Sequence, residues 1–278
     1  MAEAERIIAT ILGCGSSGGV PRIGNIWGIC DPNNPRNRRR RCALLIEGHS
    51  AGSPEPTRII IDTGCDLREQ MLAAGVDRVE AVFYTHEHAD HTHGIDDLRV
   101  LALNNRRRVD VHFTQEAGDR IREAFGYCFT SAPGSDYPPI LEAHVIKAGQ
   151  NITIDGPGGS ITLHAFLQEH GSIHSLGYRV GGFAYSCDLS AVPKESRKSV
   201  SGLDFWVIDA LRPLPHPSHL SLPESLAYIA EQQPKQAILT NLHIDMDYAG
   251  VEAQTPENVT PAFDGMRIDV TAGVILNR

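Results

Sequence analysis

Two series of short apolar runs, with amphipathic segments set among them, predict an α/β fold of two sheets packed face to face with helices outside. Three observations carry this prediction. Runs of strand length rich in Ile, Val, Leu and Phe recur through both halves of the chain. Segments of helical period interrupt them in both halves. No linker or low-complexity tract divides the 278 residues, so 1–278 reads as one domain, ample for a sizeable core.

In chain order, Arg6–Leu12 reads as the first strand and Gly13-Cys14-Gly15-Ser16-Ser17-Gly18 follows it. This stretch matches G-x-G-x-x-G, but a dinucleotide site needs a helix opening at the last glycine to aim amides at a pyrophosphate. Gly19-Val20-Pro21-Arg22-Ile23-Gly24 breaks a helix instead, so we read a glycine turn whose backbone passes close to a site. Residues 20–41 are irregular, with three prolines and then Arg36, Arg38, Arg39, Arg40 and Arg41. These arginines read as a solvated or salt-bridged loop, with one free to turn inward. Cys42–Glu47 and Arg58–Ile61 have strand composition, Asp62-Thr63-Gly64 ends the second, and Asp66–Ala74 is a short helix. Val79–Tyr84 is apolar except at Glu80 and reads as a buried strand. Ile95–Leu103 and Gln115–Phe125 have helical period on either side of the strand Val109–Phe113, and Pro/Gly-rich Thr130–Pro139 connects the halves. Further strands are expected near Leu141–Ile146, Ile161–Leu167, Gly177–Val180, Phe183–Ser186, Phe205–Ile208 and Ala237–Leu239. A helix at Leu222–Glu231 and a closing strand pair near Met266–Val270 and Gly273–Leu276 complete the set.

Composition is ordinary for a globular protein, with 41% hydrophobic and 21% charged residues. A formal net charge of −9 offers no global basic field to long nucleic acid, so none is expected as a partner. No apolar run approaches the ~18 residues of a membrane span. The acidic start Met1-Ala2-Glu3-Ala4-Glu5-Arg6 is unlike a secretory signal. Six cysteines scattered without framework spacing read as reduced thiols, and the expected compartment is the cytoplasm.

The chemistry concentrates at Thr85-His86-Glu87-His88-Ala89-Asp90-His91, directly behind the run Val79–Tyr84. Four metal-ligand side chains stand in the pattern H-x-H-x-D-H. A continuing strand alternates its faces and could aim His86, His88 and Asp90 one way but not His91 as well. The chain must therefore leave the sheet and curl, turning two imidazoles to one ion and the next carboxylate and imidazole to a second. Such donors suit zinc, manganese or iron. More ligands must come from later strand ends, where Glu169-His170-Gly171, Ser186-Cys187-Asp188 and Asn241-Leu242-His243 qualify. His174 competes with His170 but lies further from its strand end. His112, His144 and His164 fall within strands, where solvent-facing or hydrogen-bonded roles are expected; His49 is placed on a loop and His93 beside the motif. Cys187, next to an outward-pointing carboxylate on extended chain, should face the core.

With Gly94-Ile95-Asp96-Asp97-Leu98 behind it, the motif resembles the signature of the metallo-β-lactamase superfamily, which implies a four-layer αββα sandwich. That resemblance assigns His86, His88 and His170 to one divalent ion, and Asp90, His91 and His243 to a second, with Asp188 bridging. It implies two ions, zinc or manganese. Asp62 reads as a carboxylate that steadies the metal loop through hydrogen bonds. Leu12-Gly13-Cys14-Gly15-Ser16-Ser17-Gly18-Gly19-Val20-Pro21, the arginines before Cys42, Ile61-Asp62-Thr63-Gly64 and Phe263-Asp264-Gly265-Met266 narrow the likeness. Together they resemble the phosphoribosyl 1,2-cyclic phosphate phosphodiesterases over nearly the whole chain. In that branch a non-ligand His ahead of a late helix contacts the phosphate and protonates the leaving oxygen; His219 matches it, with His216 the weaker candidate. Ser17 is a further expected substrate contact, and Asp90 is counted as catalytic as well as ligating. The branch also carries a structural zinc on clustered cysteines after the Gly-Val-Pro loop. Here Gly24-Asn25-Ile26-Trp27-Gly28-Ile29-Cys30 holds one cysteine, too few for a closed tetrahedral site, and no structural zinc is expected.

The resemblance thus implies a dinuclear hydrolase of small cyclic phosphodiesters or nucleotides, in which paired ions lower the pKa of a bridging water to about 7 and His219 serves as general acid. A homodimer is a family-level expectation. Three rivals remain: a ribonuclease Z-like nuclease, a thioesterase or lactonase, and a non-catalytic metal-binding protein of cofactor synthesis. The nuclease would need an RNA-gripping arm and a basic face, of which only Arg36–Arg41 gives a hint.

Overall fold

The computed structural model describes every residue except 132, 135 and 278. The first six strands are β1 (Arg6–Gly13), β2 (Ala43–His49), β3 (Thr57–Ile61), β4 (Ala81–Phe83), β5 (Val109–Phe113) and β6 (Leu141–Val145). The next seven are β7 (Asn151–Ile154), β8 (Ile161–His170), β9 (Ile173–Val180), β10 (Phe183–Ser186), β11 (Phe205–Asp209), β12 (Gln236–Thr240) and β13 (Val259–Pro261). The chain closes with β14 (Met266–Asp269) and β15 (Val274–Ile275). One sheet runs β15-β14-β1-β2-β3-β4-β5-β6 and the other β13-β12-β11-β10-β9-β8-β7.

The alternation of side chains along each strand explains why many strands hold runs of consecutive apolar residues. Leu44 and Ile46 of β2 point into the layer between the sheets, whereas Ala43 and Leu45 point outward beneath helices. Phe205 and Val207 of β11 enter the same central layer, while Trp206 and Ile208 face the other outer layer. Helices α1 (Leu67–Ala74), α2 (Ala89–Thr92), α3 (Leu98–Asn105) and α4 (Gln115–Phe125) belong to the first half, and Leu67, Leu98 and Ile121 cover the first sheet. Helices α5 (Leu222–Gln232) and α6 (Tyr248–Gln254) cover the second through Leu222, Ile229 and Val251. Ser221 starts α5 with a capping box closed by Glu224, which satisfies two amides that the helix leaves unbonded. The result is the predicted αββα layering.

Strands β7 and β13 and helix α6 have no counterpart in the sequence reading; each is short, and β7 and β13 lie at the two edges of their sheet. Ile95–Leu103 divides into a 3-10 turn, Ile95–Asp97, and α3. His49 is the last residue of β2 and not a loop residue. Thr130–Pro139 includes residues 132 and 135, which lie outside the described residues.

What positions the site is strand direction. β3, β4 and β5 are mutually parallel, as are β10, β11 and β12. β8 runs antiparallel to β9, which is antiparallel to β10, so β8 and β10 point the same way. The carboxyl ends of β3 and β4 in one sheet, and of β8, β10, β11 and β12 in the other, carry the residues of the site described below.

His112 departs from the expectation of a solvated or hydrogen-bonded strand histidine. It sits on interior strand β5, stacked between Phe83 (4.4 Å) and His144 (4.7 Å), with neither ring nitrogen bonded. His144, by contrast, pairs with Asp110 through Nε2 at 2.6 Å, and His164 bonds Asn151 and Ser199. Burial, reinforced by the neighbouring His144, lowers the pKa of His112 to about 4. An unfolded histidine titrates near ~6.5, so the unfolded chain binds the extra proton between these two values. Stability is therefore complete above about 6.5 and is lost as pH falls toward 4, by about 3 kcal/mol. Urea unfolding of the wild type and His112→Phe at several pH values checks this. The variant is expected to show a shallower acid loss, and parallel curves would refute the assignment.

Candidate metal centre

The turn after β4 curls as its ligand pattern demands. His88 remains extended (φ −61°, ψ 150°) and the next four residues form α2, which rotates Asp90 and His91 away from the strand's alternation. The turn is held from below by Asp62, the residue after β3. Asp62 adopts left-handed backbone (φ 65°), which Asp tolerates better than most residues. Its carboxylate accepts from the amide and hydroxyl of Thr85, both at 2.8 Å, and stands 2.8 Å from His91 Nδ1. Gly64 lets this packing close: a Cβ there would lie 2.0 Å from the carbonyl oxygen of Asp90.

Three imidazole nitrogens converge. His86 Nε2 stands 2.9 Å from His88 Nδ1, and His170 Nε2, at the end of β8, stands 3.3 Å from the same atom. Metal–nitrogen bonds of ~2.0–2.1 Å at a tetrahedral angle put neighbouring nitrogens about 3.3 Å apart. Two of the outer nitrogens are already committed: His170 Nδ1 donates to the Ser218 carbonyl at 2.6 Å, and His86 Nδ1 lies 2.9 Å from Thr85 Oγ1. Inward-facing lone pairs with anchored outer nitrogens are the arrangement of a cation site. Burial first, and then the neighbouring His91 charge, keeps His86 far below its usual pKa and thus neutral, as a ligand must be.

A second donor group lies alongside. His91 Nε2 is 3.4 Å from Asp90 Oδ2 and 3.4 Å from Asp188 Oδ1. The other oxygen of Asp188, Oδ2, lies 3.9 Å from His86 Nε2 and 3.8 Å from His170 Nε2. One buried carboxylate, two residues past β10, thus presents one oxygen to each group. Burial opposes ionisation of Asp188, but His91 above all holds it well below the usual carboxylate range. Burial likewise opposes charge on His91, and Asp188 and Asp62 together raise it well above the ordinary histidine value. A charge pattern that protonates a buried imidazole between two carboxylates will also accept a metal cation there.

His219 and His243 differ from these candidate ligands. His219 forms a compact trio with His170 and Asp188, its Nδ1 3.8 Å from Asp188 Oδ2. That nitrogen is nevertheless bonded at 2.9 Å to Asp209, the last residue of β11. Against the cost of burial, Asp209 raises the pKa of His219 to about 9. His243 lines the same cavity of about 250 Å3 as His88, Asp90, Asp188, His216 and His219, but falls in none of the tight donor groups among the described residues. Its Nε2 accepts from Arg22 Nη2 and its Nδ1 faces Asp245 at 2.9 Å. His216 turns its Nδ1 toward the amide of Ser218, and Ser17 lines the cavity from the glycine turn.

His174 is exposed on the β8–β9 hairpin, and His93 packs edge-on against Phe125 rather than touching a ligand. Cys187 is buried in the central layer as expected, yet its thiol donates to Asp188 Oδ1 at 3.0 Å. Of the arginine run, Arg41 pairs with Asp66, Arg40 with Asp264, and Arg36 stacks on Tyr248 and Phe263. Arg39 is the one turned inward, bonded to Asn37 at 3.0 Å and to the carbonyl of His243 at 3.5 Å. Asp209 and Asn241 are among the residues of the site that the sequence left without a role. Both are polar residues at the ends of apolar strands, the same signal that marked His170 and Asp188; Asn241 Nδ2 donates to Asp188 Oδ1 at 3.2 Å. Larger cavities, such as that of about 470 Å3 beside His164 and Arg179, bring no comparable donors together among the described residues.

Asp62→Asn replaces an acceptor with a donor opposite His91 Nδ1 while keeping a residue suited to left-handed backbone. We expect metal affinity roughly 10–100-fold weaker, as for other partners of ligand histidines. Competition titration with a chelator measures it, and unchanged affinity would deny Asp62 that role.

The comparisons with known proteins agree with this geometry. The sequence profile of the beta-lactamase superfamily domain matches residues 57–244, the span that contains every donor named above. A crystal structure of a diphosphatase from the PhnP family is 30% identical, with a TM-score of 0.82 over 95% of this chain and 97% of that one. Zn(2+)-bound PqqB from Methylobacterium extorquens has the same fold at 16% identity, with a TM-score of 0.71 over 94% of this chain and 99% of that one. An octanoyltransferase of Porphyromonas gingivalis is 30% identical over 261 residues, 92% of this chain but 50% of that protein. The chain spans half or less of the length of the curated relatives it matches. No helix among the described residues is long and apolar enough to cross a membrane. With its two sheets, its His/Asp donor groups at their shared rim and the matched profile, the chain belongs to the metallo-β-lactamase superfamily.

Proposed function

We propose that this chain is a dinuclear metal-dependent phosphodiesterase acting on small phosphodiesters, cyclic or nucleotide-like. The observation that carries the reading is the His219–Asp209 pair beside the metal ligands. Asp209 is fully buried and, at 2.9 Å from Nδ1, fixes the histidine with its other nitrogen available to a ligand. Hydrolysis at phosphorus expels an alkoxide, which needs a proton as it leaves. A histidine held protonated in the cavity wall suits that step better than hydrolysis of a thioester, whose thiolate leaves readily. The 30% identity to a PhnP family diphosphatase supports chemistry at phosphorus.

His86, His88 and His170 would hold one ion, and Asp90 and His91 a second, with Asp188 shared and His243 completing the set once released from Arg22. Zinc or manganese suits these donors. When bound, the pair supplies Lewis acidity toward the phosphoryl oxygens and an activated water. The chain's own residues do the rest. Asp62 and the Ser218 carbonyl fix the outer nitrogens of His91 and His170, which leaves their inner nitrogens free to hold an ion. Asn241 and the Cys187 thiol hold Asp188 Oδ1 in place. Asp90, in the cavity beside His88, can take a proton from the attacking water, and His219 delivers one to the departing oxygen.

In the metal-loaded protein, His219→Ala is expected to lower kcat on bis(p-nitrophenyl) phosphate by about 100-fold or more, with a smaller change in KM and unaltered metal content. Unchanged turnover would remove His219 from the chemistry. Hydrolysis of thioesters without any phosphodiester would replace the reading itself.

A further inference from the structure

The cavity beside the donor groups is polar inside and apolar around its mouth. Of its lining residues only Leu211 is apolar. Two loops flank it: residues 20–30 supply Arg22, and residues 211–219 supply Leu211, Arg212, His216 and His219. On the first loop Ile23, Ile26 and Ile29 are 94%, 52% and 68% exposed, and no other isoleucine among the described residues is exposed. On the second, Leu214 is 70% exposed. Single apolar side chains on a surface are ordinary, but a cluster of them beside a polar cavity marks an interaction site.

The backbone holds these side chains in water. Arg22 and Ile26 exchange backbone hydrogen bonds at 2.9 and 3.2 Å, which closes a turn that contains Ile23. Trp27 Nε1 donates to Asn25 Oδ1 at 3.0 Å, and its ring packs on Val20, Cys30 and Ile244. The amide of Ile29 donates to the Ile244 carbonyl at 3.0 Å. Gly28, with φ 59°, presses on the same group, where an added Cβ would lie 2.4 Å from the oxygen. Arg212 stiffens the second loop, donating through Nε to Leu214 and through Nη2 to Pro215. The first loop therefore has a small core of its own and still leaves its isoleucines outside it. An apolar surface fixed in this way binds a ligand without the entropic cost of ordering a mobile loop.

We propose that Ile23, Ile26, Ile29 and Leu214 form a rim that binds an apolar chain of the substrate while its phosphodiester lies in the cavity. This rests on the phosphodiesterase reading for the reaction there, and narrows it to phosphodiesters in which one ester group carries an alkyl or acyl chain. The place of the patch selects this occupant. A second copy docked on it would cover the cavity and shut substrate out. A cytoplasmic lipid surface is anionic, and a chain of net charge −9 is repelled by it. A single amphiphile suits both parts: Arg22, Arg212 and the donor groups face its charge, Leu211 its first carbons, and the rim its chain.

The test compares methyl p-nitrophenyl phosphate with octyl p-nitrophenyl phosphate on the metal-loaded full chain, below the concentration at which the octyl ester forms micelles. Both esters share the reacting phosphorus and the leaving group. The expected wild-type kcat/KM is about 10-fold or more higher for the octyl ester, the worth of about two fully buried methylenes. In I23S/I29S/L214S, which removes the three most exposed of these side chains, the ratio falls to near one, and any loss common to both esters cancels from it. I23S alone lowers the ratio part of the way. A wild-type ratio near one, or a ratio that survives in the triple variant, overturns the rim. A ratio near one together with dimers that the triple variant dissociates gives the face to a second copy instead. A ratio near one with binding to phosphatidylcholine vesicles that the variant loses gives it to a lipid surface. If neither ester is hydrolysed, the phosphodiesterase reading fails and calorimetry with octyl phosphate and methyl phosphate still decides the rim. Octyl phosphate bound at least about 10-fold tighter by the wild type, with that preference lost in the triple variant, sustains it. Equal binding of the two overturns it.

Discussion

Imidazole nitrogens that carry lone pairs repel one another unless a proton or a cation lies between them. His86, His88 and His170 nevertheless aim nitrogens at a common point from two different sheets, with separations of 2.9 and 3.3 Å. The outer nitrogens of His86 and His170 are tied to Thr85 and Ser218, which holds those two rings against turning over. A cation at the centre would satisfy all three nitrogens at once, and much of the surrounding structure serves to hold them in place. Asp62 is the clearest example. It accepts left-handed backbone at the end of β3 so that one carboxylate can hold both the start of the ligand turn and the ring of His91.

The sandwich makes this convergence possible because it brings the carboxyl ends of strands from both sheets to one rim. β4 delivers the histidine turn; β8, β10 and β12 deliver His170, Asp188 and Asn241; β11 delivers Asp209. The strands are pinned by a central layer in which Phe83, Tyr178 and Phe183 are almost wholly buried. Tyr178 joins layer and site directly, since its hydroxyl donates to the carbonyl of Tyr84 one residue before the ligand turn. Large movement of a strand end would disrupt that packing, so the ligands inherit the rigidity of the core.

The layering was legible because strands buried on both faces hold runs of consecutive apolar residues, and helices that cover them keep their period. The ligand turn was legible because H-x-H-x-D-H cannot be satisfied on continuing strand. The edge strands β7 and β13 were not, since short segments packed on one side leave little pattern. Nor was the isolation of His112, whose neighbours Phe83 and His144 come from other strands. Asp209 carried a signal in plain view, an acidic residue closing an apolar strand, but its partner His219 lies across a loop that sequence cannot fold. Arg22 was hidden for the same reason: only the fold sets a residue of the glycine turn against His243, 221 positions away.

Two cations at defined places are the centre of the proposed chemistry, and anomalous X-ray diffraction from crystals grown with zinc or manganese tests for them most directly. That chemistry predicts two anomalous peaks about 3.5–4 Å apart, one among the inner nitrogens of His86, His88 and His170 and the other between Asp90 and His91, with Asp188 touching both. A map with no peak at the rim, or with metal bound only elsewhere on the chain, would contradict it.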